Sequence, residues 1–257
     1  MMSKTAFMRY RKDARVHYGI LEGDRLRQLE GNPLDTRQTT GTVHRLSEVR
    51  ALVPCEPRQI LAVGRNYRSH LKGRPAPSRP EIFYKPFNSL QNPDSPIVIP
   101  AEADEVHLEG ELVVVIGRTA RNVSLEQAES FIFALTCGND VSARGWQRGP
   151  DQDLQWWRAK GCDTFGPVGP VMVQGLDHQN LQLQTRLNGQ VVQQQTTADL
   201  MFDCATVVSY ISRYLTLSPG DLIFTGTPGA TDWLKPGDVV EVEIEGIGVL
   251  SNPVEAG

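Results

Sequence analysis

Three acids stand out for the chemistry they could do together. Glu109 and Glu111 lie in the run Glu109-Gly110-Glu111, and Asp140 lies in Asn139-Asp140-Val141-Ser142-Ala143-Arg144. The glutamates lead into Leu112-Val113-Val114-Val115-Ile116-Gly117, an apolar run that reads as a buried strand closed by a glycine. Residues two apart in a strand share a face, so both carboxylates converge on one spot. Paired carboxylates entering an apolar element repel each other and lose hydration, so they need a compensating charge. A divalent cation supplies it, and Asp140 adds a third carboxylate from a distant segment. All-oxygen ligands suit Mg²⁺, Mn²⁺ or Ca²⁺ rather than zinc. A bare Glu-x-Glu is more often a solvated strand end; the company these residues keep argues otherwise here.

The elements that must position them read as mostly strands. Turn signals at Glu22-Gly23-Asp24 and Gly31-Asn32-Pro33 divide a small β-rich piece, residues 1–53, with a hairpin through Val16–Ile20 and Arg25–Leu29. Pro54 and Pro57 mark the passage into a main body, residues 54–257, where Gln59–Val63 reads as a strand. Gly73 to Pro80 is a proline- and arginine-rich loop. Ser124, with Gln127 at the capping-box position, opens a predicted helix whose apolar residues are Ala128, Phe131, Ile132 and Leu135. A second helix is predicted over Cys204 to Tyr214. Strands follow at Leu181–Leu187 and Gln190–Gln194 across an Asn188-Gly189 turn, then at Asp221–Thr225 and Val239–Ile244. Few helices and many strands argue for an α+β, mainly β architecture. Gln193-Gln194-Gln195 is too short a tract to count as low complexity.

Composition narrows the function classes. At 257 residues, 40% hydrophobic and 22% charged, the chain describes an ordinary globular protein. A net charge of −4 favours neither nucleic acid nor anionic membranes as a partner. No apolar run approaches the length of a bilayer span, and the N-terminus lacks the apolar stretch of a secretory signal. Cys55, Cys137, Cys162 and Cys204 are scattered without a Cys-x-x-Cys pair, so buried free thiols and a cytoplasmic location are expected.

Five further segments accompany the acids: Gly64-Arg65-Asn66-Tyr67-Arg68-Ser69-His70, Phe83-Tyr84-Lys85-Pro86, Ala159 to Pro167, Thr197 to Phe202, and Thr225-Gly226-Thr227-Pro228-Gly229. Together, and in this order from about residue 58 onward, the seven segments resemble the fumarylacetoacetate hydrolase family. The resemblance implies a mixed β-sandwich roll with a small N-terminal domain, a homodimer, and a Mg²⁺ or Mn²⁺ site for 2-oxo or enol acids. By position it implies Glu109, Glu111 and Asp140 as metal ligands and Lys160 as a catalytic lysine. It also implies Arg65, Tyr67, Lys85, Arg144 and Thr227 as substrate contacts, with Lys85 the weakest of them because buried lysines also pair with structural carboxylates. Asp163 is expected to orient Lys160 or Arg144. His107 resembles the His-x-Glu of zinc deaminases, but the Pro-Cys-x-x-Cys those sites need is absent. His17, His44 and His178 are expected at the surface without partners.

A carboxylate and adjacent keto oxygen can chelate one cation, which then stabilises an enolate as a C–C bond breaks or a proton moves. The expected reaction is C–C hydrolysis of an acylpyruvate-like compound. Its rivals are decarboxylation of a 2-oxo diacid, isomerisation of an unsaturated 2-hydroxy diacid, and plain binding of an organic acid. One departure bears on that choice. Family hydrolases and decarboxylases often carry His-x-x-Glu after the Asn-Tyr motif; here His70 is followed three residues on by Gly73. Another carboxylate, Glu81 or Glu102, is expected to replace the missing acid. The stretch Arg58 to Pro80 holds six basic residues and no acid, which reads as a solvated face or as a clamp for an anionic substrate.

Overall fold

The computed structural model describes residues 4–257. Its strands form two principal sheets. In the larger, the hydrogen-bonded order runs Thr39–Arg45, Arg25–Leu29, Arg15–Glu22, Thr5–Lys12, Gly166–Gln174, Ile132–Asn139, Gly110–Ile116, Leu222–Phe224, Ile60–Gly64 and Glu81–Lys85. The first four strands come from the N-terminal piece, and Thr5–Lys12 pairs antiparallel with Gly166–Gln174, so one sheet runs from that piece into the main body. The smaller sheet runs Gln190–Thr196, Gln182–Leu187, Val239–Ile244, Gly248–Ala256 and Ile97–Ile99. Both the mainly β class and the predicted family fold are observed.

The Gly110–Ile116 strand is buried along its whole length because it is covered on both faces. Leu112, Val114 and Ile116 join Leu183, Val242, Ile244 and Leu250 between the sheets. Val113 and Val115 join Phe7, Ala62 and Phe224 on the other side. Continuous aliphatic residues, rather than alternating ones, are what such a doubly covered strand requires. Its antiparallel register against Ile132–Asn139 sets Gly110 opposite Asn139 and Glu111 opposite Gly138. A Cβ at Gly138 would lie 2.5 Å from Val113 and 2.6 Å from Phe224, so only glycine fits there.

The predicted helix after Ser124 is corrected. Its α-helical turn covers only Leu125–Ala128, a 3-10 turn follows over Glu129–Phe131, and Ile132 begins a central strand. The second helix is observed at Cys204–Ser212, capped by Asp203, whose carboxylate accepts the Thr206 N–H at 2.7 Å. His178, expected exposed, is buried with Nε2 2.6 Å from the Glu129 carboxylate. His17 and His44 pack against Tyr10 rather than standing free.

Candidate metal and substrate site

The strand register explains how the acids meet. Glu109 and Asp140 lie just beyond the paired ends of two antiparallel neighbours, and the Asp140 N–H donates to the Glu109 carbonyl at 2.9 Å. Glu111 lies one residue inside the strand. Ligand atoms of Glu109, Glu111 and Asp140 all fall within 4.8 Å of one another, and all three side chains are buried.

Three cations face them. The Lys160 ammonium donates to Glu109 Oε2 at 2.6 Å and also to the Asp140 carboxylate. Lys85 donates to Asp140 Oδ1 at 2.7 Å, and Arg144 pairs with Glu109. Burial works to raise the Glu109 pKa, but Arg144 and Lys160 overcome it and hold the carboxyl below the usual range. Burial works to lower Lys160, and Asp140 and Glu109 outweigh it and raise it. Lys160 is therefore an ammonium, able to stabilise negative charge but not to act as a base. For Lys85 burial prevails and lowers the pKa despite Asp140.

Glu111 differs from its neighbours. It is 1% exposed and accepts the Gly226 N–H at 2.7 Å, and no cationic side chain among the described residues lies within ion-pairing distance. Burial first, then Asp140 and Glu109, push its pKa well above the usual carboxylate range. A buried carboxylate beside two others, with an open oxygen and no nitrogen or sulfur donor nearby, suits an oxygen-seeking divalent ion. The donor set fits such a group.

The acids floor a cleft of about 260 Å³, lined also by Arg65, His70, Lys72, Arg74, Arg144, Arg148, Lys160 and Thr227. His70 sits in a short 3-10 turn, Arg68–His70, that leaves the Ile60–Gly64 strand. Its Nδ1 lies 2.7 Å from the Gly229 carbonyl. A carbonyl only accepts, so Nδ1 carries the hydrogen and Nε2 keeps its lone pair. Burial lowers the His70 pKa, so the neutral ring prevails at pH 7. The expected replacement carboxylate is not what orients His70: Glu81 pairs instead with Arg65, at 3.4 Å.

Several expected contacts are relocated. Tyr67 and Lys85 do not line the cleft; Tyr67 is fully buried and Lys85 lies behind Asp140 as a countercharge. Arg144 reaches the cleft while engaged by Glu109, Gln147 and Thr231. Asp163 is exposed and accepts from Asn88 at 2.6 Å, away from Lys160 and Arg144. Thr227 lines the cleft because its loop follows Leu222–Phe224, the antiparallel neighbour of Gly110–Ile116.

Some cleft residues escaped the sequence reading. Phe83 and Trp156 meet edge to face with ring centroids 5.4 Å apart and form an apolar wall. Trp156 adopts a left-handed conformation, φ 56°, which is rare for a bulky residue and has no signature in sequence. His107, set aside as a zinc ligand, lines the cleft with Nδ1 2.8 Å from the Thr231 hydroxyl.

Comparison with known proteins agrees with this geometry. The Fumarylacetoacetate (FAA) hydrolase C-terminal model matches residues 59–255. A second model, Rv2993c-like N-terminal, matches residues 6–54. Protein Rv2993c of Mycobacterium tuberculosis is 45% identical over 234 residues, which cover 89% of this chain and 87% of that protein. The mitochondrial oxaloacetate tautomerase fahd2 of Xenopus laevis is 38% identical over 221 residues, covering 81% of this chain and 69% of that one. Among solved structures, 5-carboxymethyl-2-hydroxymuconate delta-isomerase from Mycobacterium smegmatis superposes with a TM-score of 0.91 at 41% identity, covering 98% of this chain and 100% of that one.

Proposed function

Because the chain belongs to the fumarylacetoacetate hydrolase family, we propose that it is a Mg²⁺- or Mn²⁺-dependent enzyme moving a proton between the enol and keto forms of a 2-oxo diacid. The observation that carries this reading is the His70–Gly229 hydrogen bond. A backbone carbonyl fixes the tautomer, but it lacks the negative charge with which a carboxylate stabilises imidazolium and helps His deprotonate water. The C–H beside a 2-oxo group coordinated to a cation is far more acidic than that of an ordinary alkane, and a neutral imidazole suffices for it.

Glu109, Glu111 and Asp140 would hold the divalent ion, which when bound supplies positive charge to the substrate's keto and carboxylate oxygens. His70 Nε2 takes the proton from the carbon beside the keto group; the electron pair left behind forms the enolate, and the imidazolium returns that proton to the enolate oxygen. Reversed, the same steps return the keto form. Lys160 stays protonated and stabilises the enolate charge. Phe83 and Trp156 limit water at the reacting carbon.

The charge of the cleft favours a substrate with a second carboxylate. Three carboxylates already face three cations at the floor, so a bound divalent ion leaves the site positive. Lys72, Arg74 and Arg148 line the cleft with no ion-pair partner among the described residues. The names of the tautomerase and isomerase relatives support the same class of reaction. C–C hydrolysis is the rival reading. Mg²⁺-loaded protein should speed exchange of the C3 hydrogens of oxaloacetate with D₂O far more than it cleaves an acylpyruvate. Faster acylpyruvate cleavage would reinstate hydrolysis.

A further inference from the structure

We propose that Gln193 is a positioning residue for the divalent-ion site, holding the Glu109-Gly110-Glu111 segment and the Thr227 loop in one fixed relation. The proposal rests on the metal reading above. Gln193 belongs to the Gln190–Thr196 strand at the edge of the smaller sheet, yet its buried side chain crosses to the larger one. There it meets Gly110, the residue between two of the expected ligands.

Gly110 needs such a partner because of where its strand runs. The neighbouring Leu222–Phe224 strand pairs only with Val113 to Val115, so Gly110 extends past its end. Side chains take over. Gln193 Oε1 accepts the Gly110 N–H at 3.1 Å, and the Thr227 hydroxyl donates to the Gly110 carbonyl at 2.9 Å. The other end of the same carboxamide donates to the Thr227 hydroxyl at 2.9 Å and to the Pro228 carbonyl at 2.7 Å. Both peptide groups around Gly110 are therefore fixed by one connected network. A carboxamide is the group that can accept from an amide while donating to a hydroxyl and a carbonyl. Reversing it would set oxygen against the Pro228 carbonyl.

The same spot excludes a side chain at residue 110, since a Cβ there would lie 2.1 Å from Thr185 Oγ1. The Ile132–Asn139 strand fixes Gly110 on one side, and Gln193 and Thr227 hold its peptide groups on the other. Groups that orient metal ligands are typically worth 10- to 100-fold in metal affinity.

The test uses Gln193→Met, which keeps length and apolar volume, with Gln193→Leu as a second variant should the first fold poorly. Thermal unfolding is followed in EDTA and in graded MgCl₂ or MnCl₂, and the ion affinity is measured directly by calorimetry. A merely structural role would lower the melting temperature equally with and without the ion. The positioning role predicts a reduced ion-induced rise and at least a roughly tenfold weaker affinity. Unchanged affinity and an unchanged ion-induced rise in a folded variant would overturn the role of Gln193 alone. A wild type that does not respond to either ion would overturn the metal reading and this proposal with it.

Discussion

His70 illustrates how much one residue's surroundings decide. In sequence its missing acid at residue 73 leaves the base without a partner; in the fold the Gly229 carbonyl fixes its tautomer. The direction of its pKa shift follows from burial, which disfavours imidazolium. The sign is that of a base kept neutral, so activity is retained above the ordinary histidine value of about 6.5 and the acid limb falls below it. A pH profile of kcat/KM checks this, and an acid limb at or above pH 7 would remove His70 as the proton acceptor. General-base assistance typically contributes about 10²- to 10⁴-fold, so His70→Ala should lower kcat on a 2-oxo diacid by that order. A loss under about tenfold would transfer the role to another group.

At the scale of elements, the sequence was legible where one signal dominated. Five consecutive aliphatic residues marked Gly110–Ile116, and Asn188-Gly189 marked the hairpin joining Gln182–Leu187 to Gln190–Thr196. The failure after Ser124 has a physical cause. Phe131, Ile132 and Leu135 have helical spacing, but Ile132–Asn139 fills a central place between Gly110–Ile116 and Gly166–Gln174, and that pairing overrides the local pattern. The convergence of Glu109 with Glu111 was legible from strand period. The orientation of His70 was not, because a backbone carbonyl has no sequence signature. Gln193 was hidden for a related reason: its partners, Gly110 and Thr227, are 83 and 34 residues away. The Cys204–Ser212 helix offers a direct test of local reading. Replacing its cap, Asp203→Ala, removes the acceptor for Thr206 N–H and should cost about 1 kcal/mol in chemical denaturation. A change indistinguishable from zero would mean that the cap contributes nothing to stability.

Over the whole molecule, one end of the larger sheet sets an acidic floor beneath a basic rim. The chain's net charge is −4, yet Lys72, Arg74 and Arg148 concentrate positive charge at the cleft. Such focusing favours dianions and is screened by salt over about 8 Å at physiological ionic strength. Raising ionic strength should therefore depress kcat/KM for a 2-oxo diacid more than for a 2-oxo monoacid. Replacing the three cations with methionine should raise KM for the diacid and remove most of that difference; equal salt dependence in wild type would contradict the rim's role. The homodimer suggested by the family resemblance is a separate proposal, and a solution mass near 28.5 kDa would contradict it.

The proposed chemistry requires the divalent ion, and Glu111 is the ligand most dependent on it. Glu109 and Asp140 are already neutralised by lysine and arginine, whereas Glu111 has a single backbone N–H and two repelling neighbours. Calorimetric titration of wild type and Glu111→Ala with Mg²⁺ and Mn²⁺ is the direct measurement. The wild type should bind one ion per chain, and the variant should lose tight binding and activity together. A folded Glu111→Ala that titrates like the wild type would contradict the assignment of the metal site.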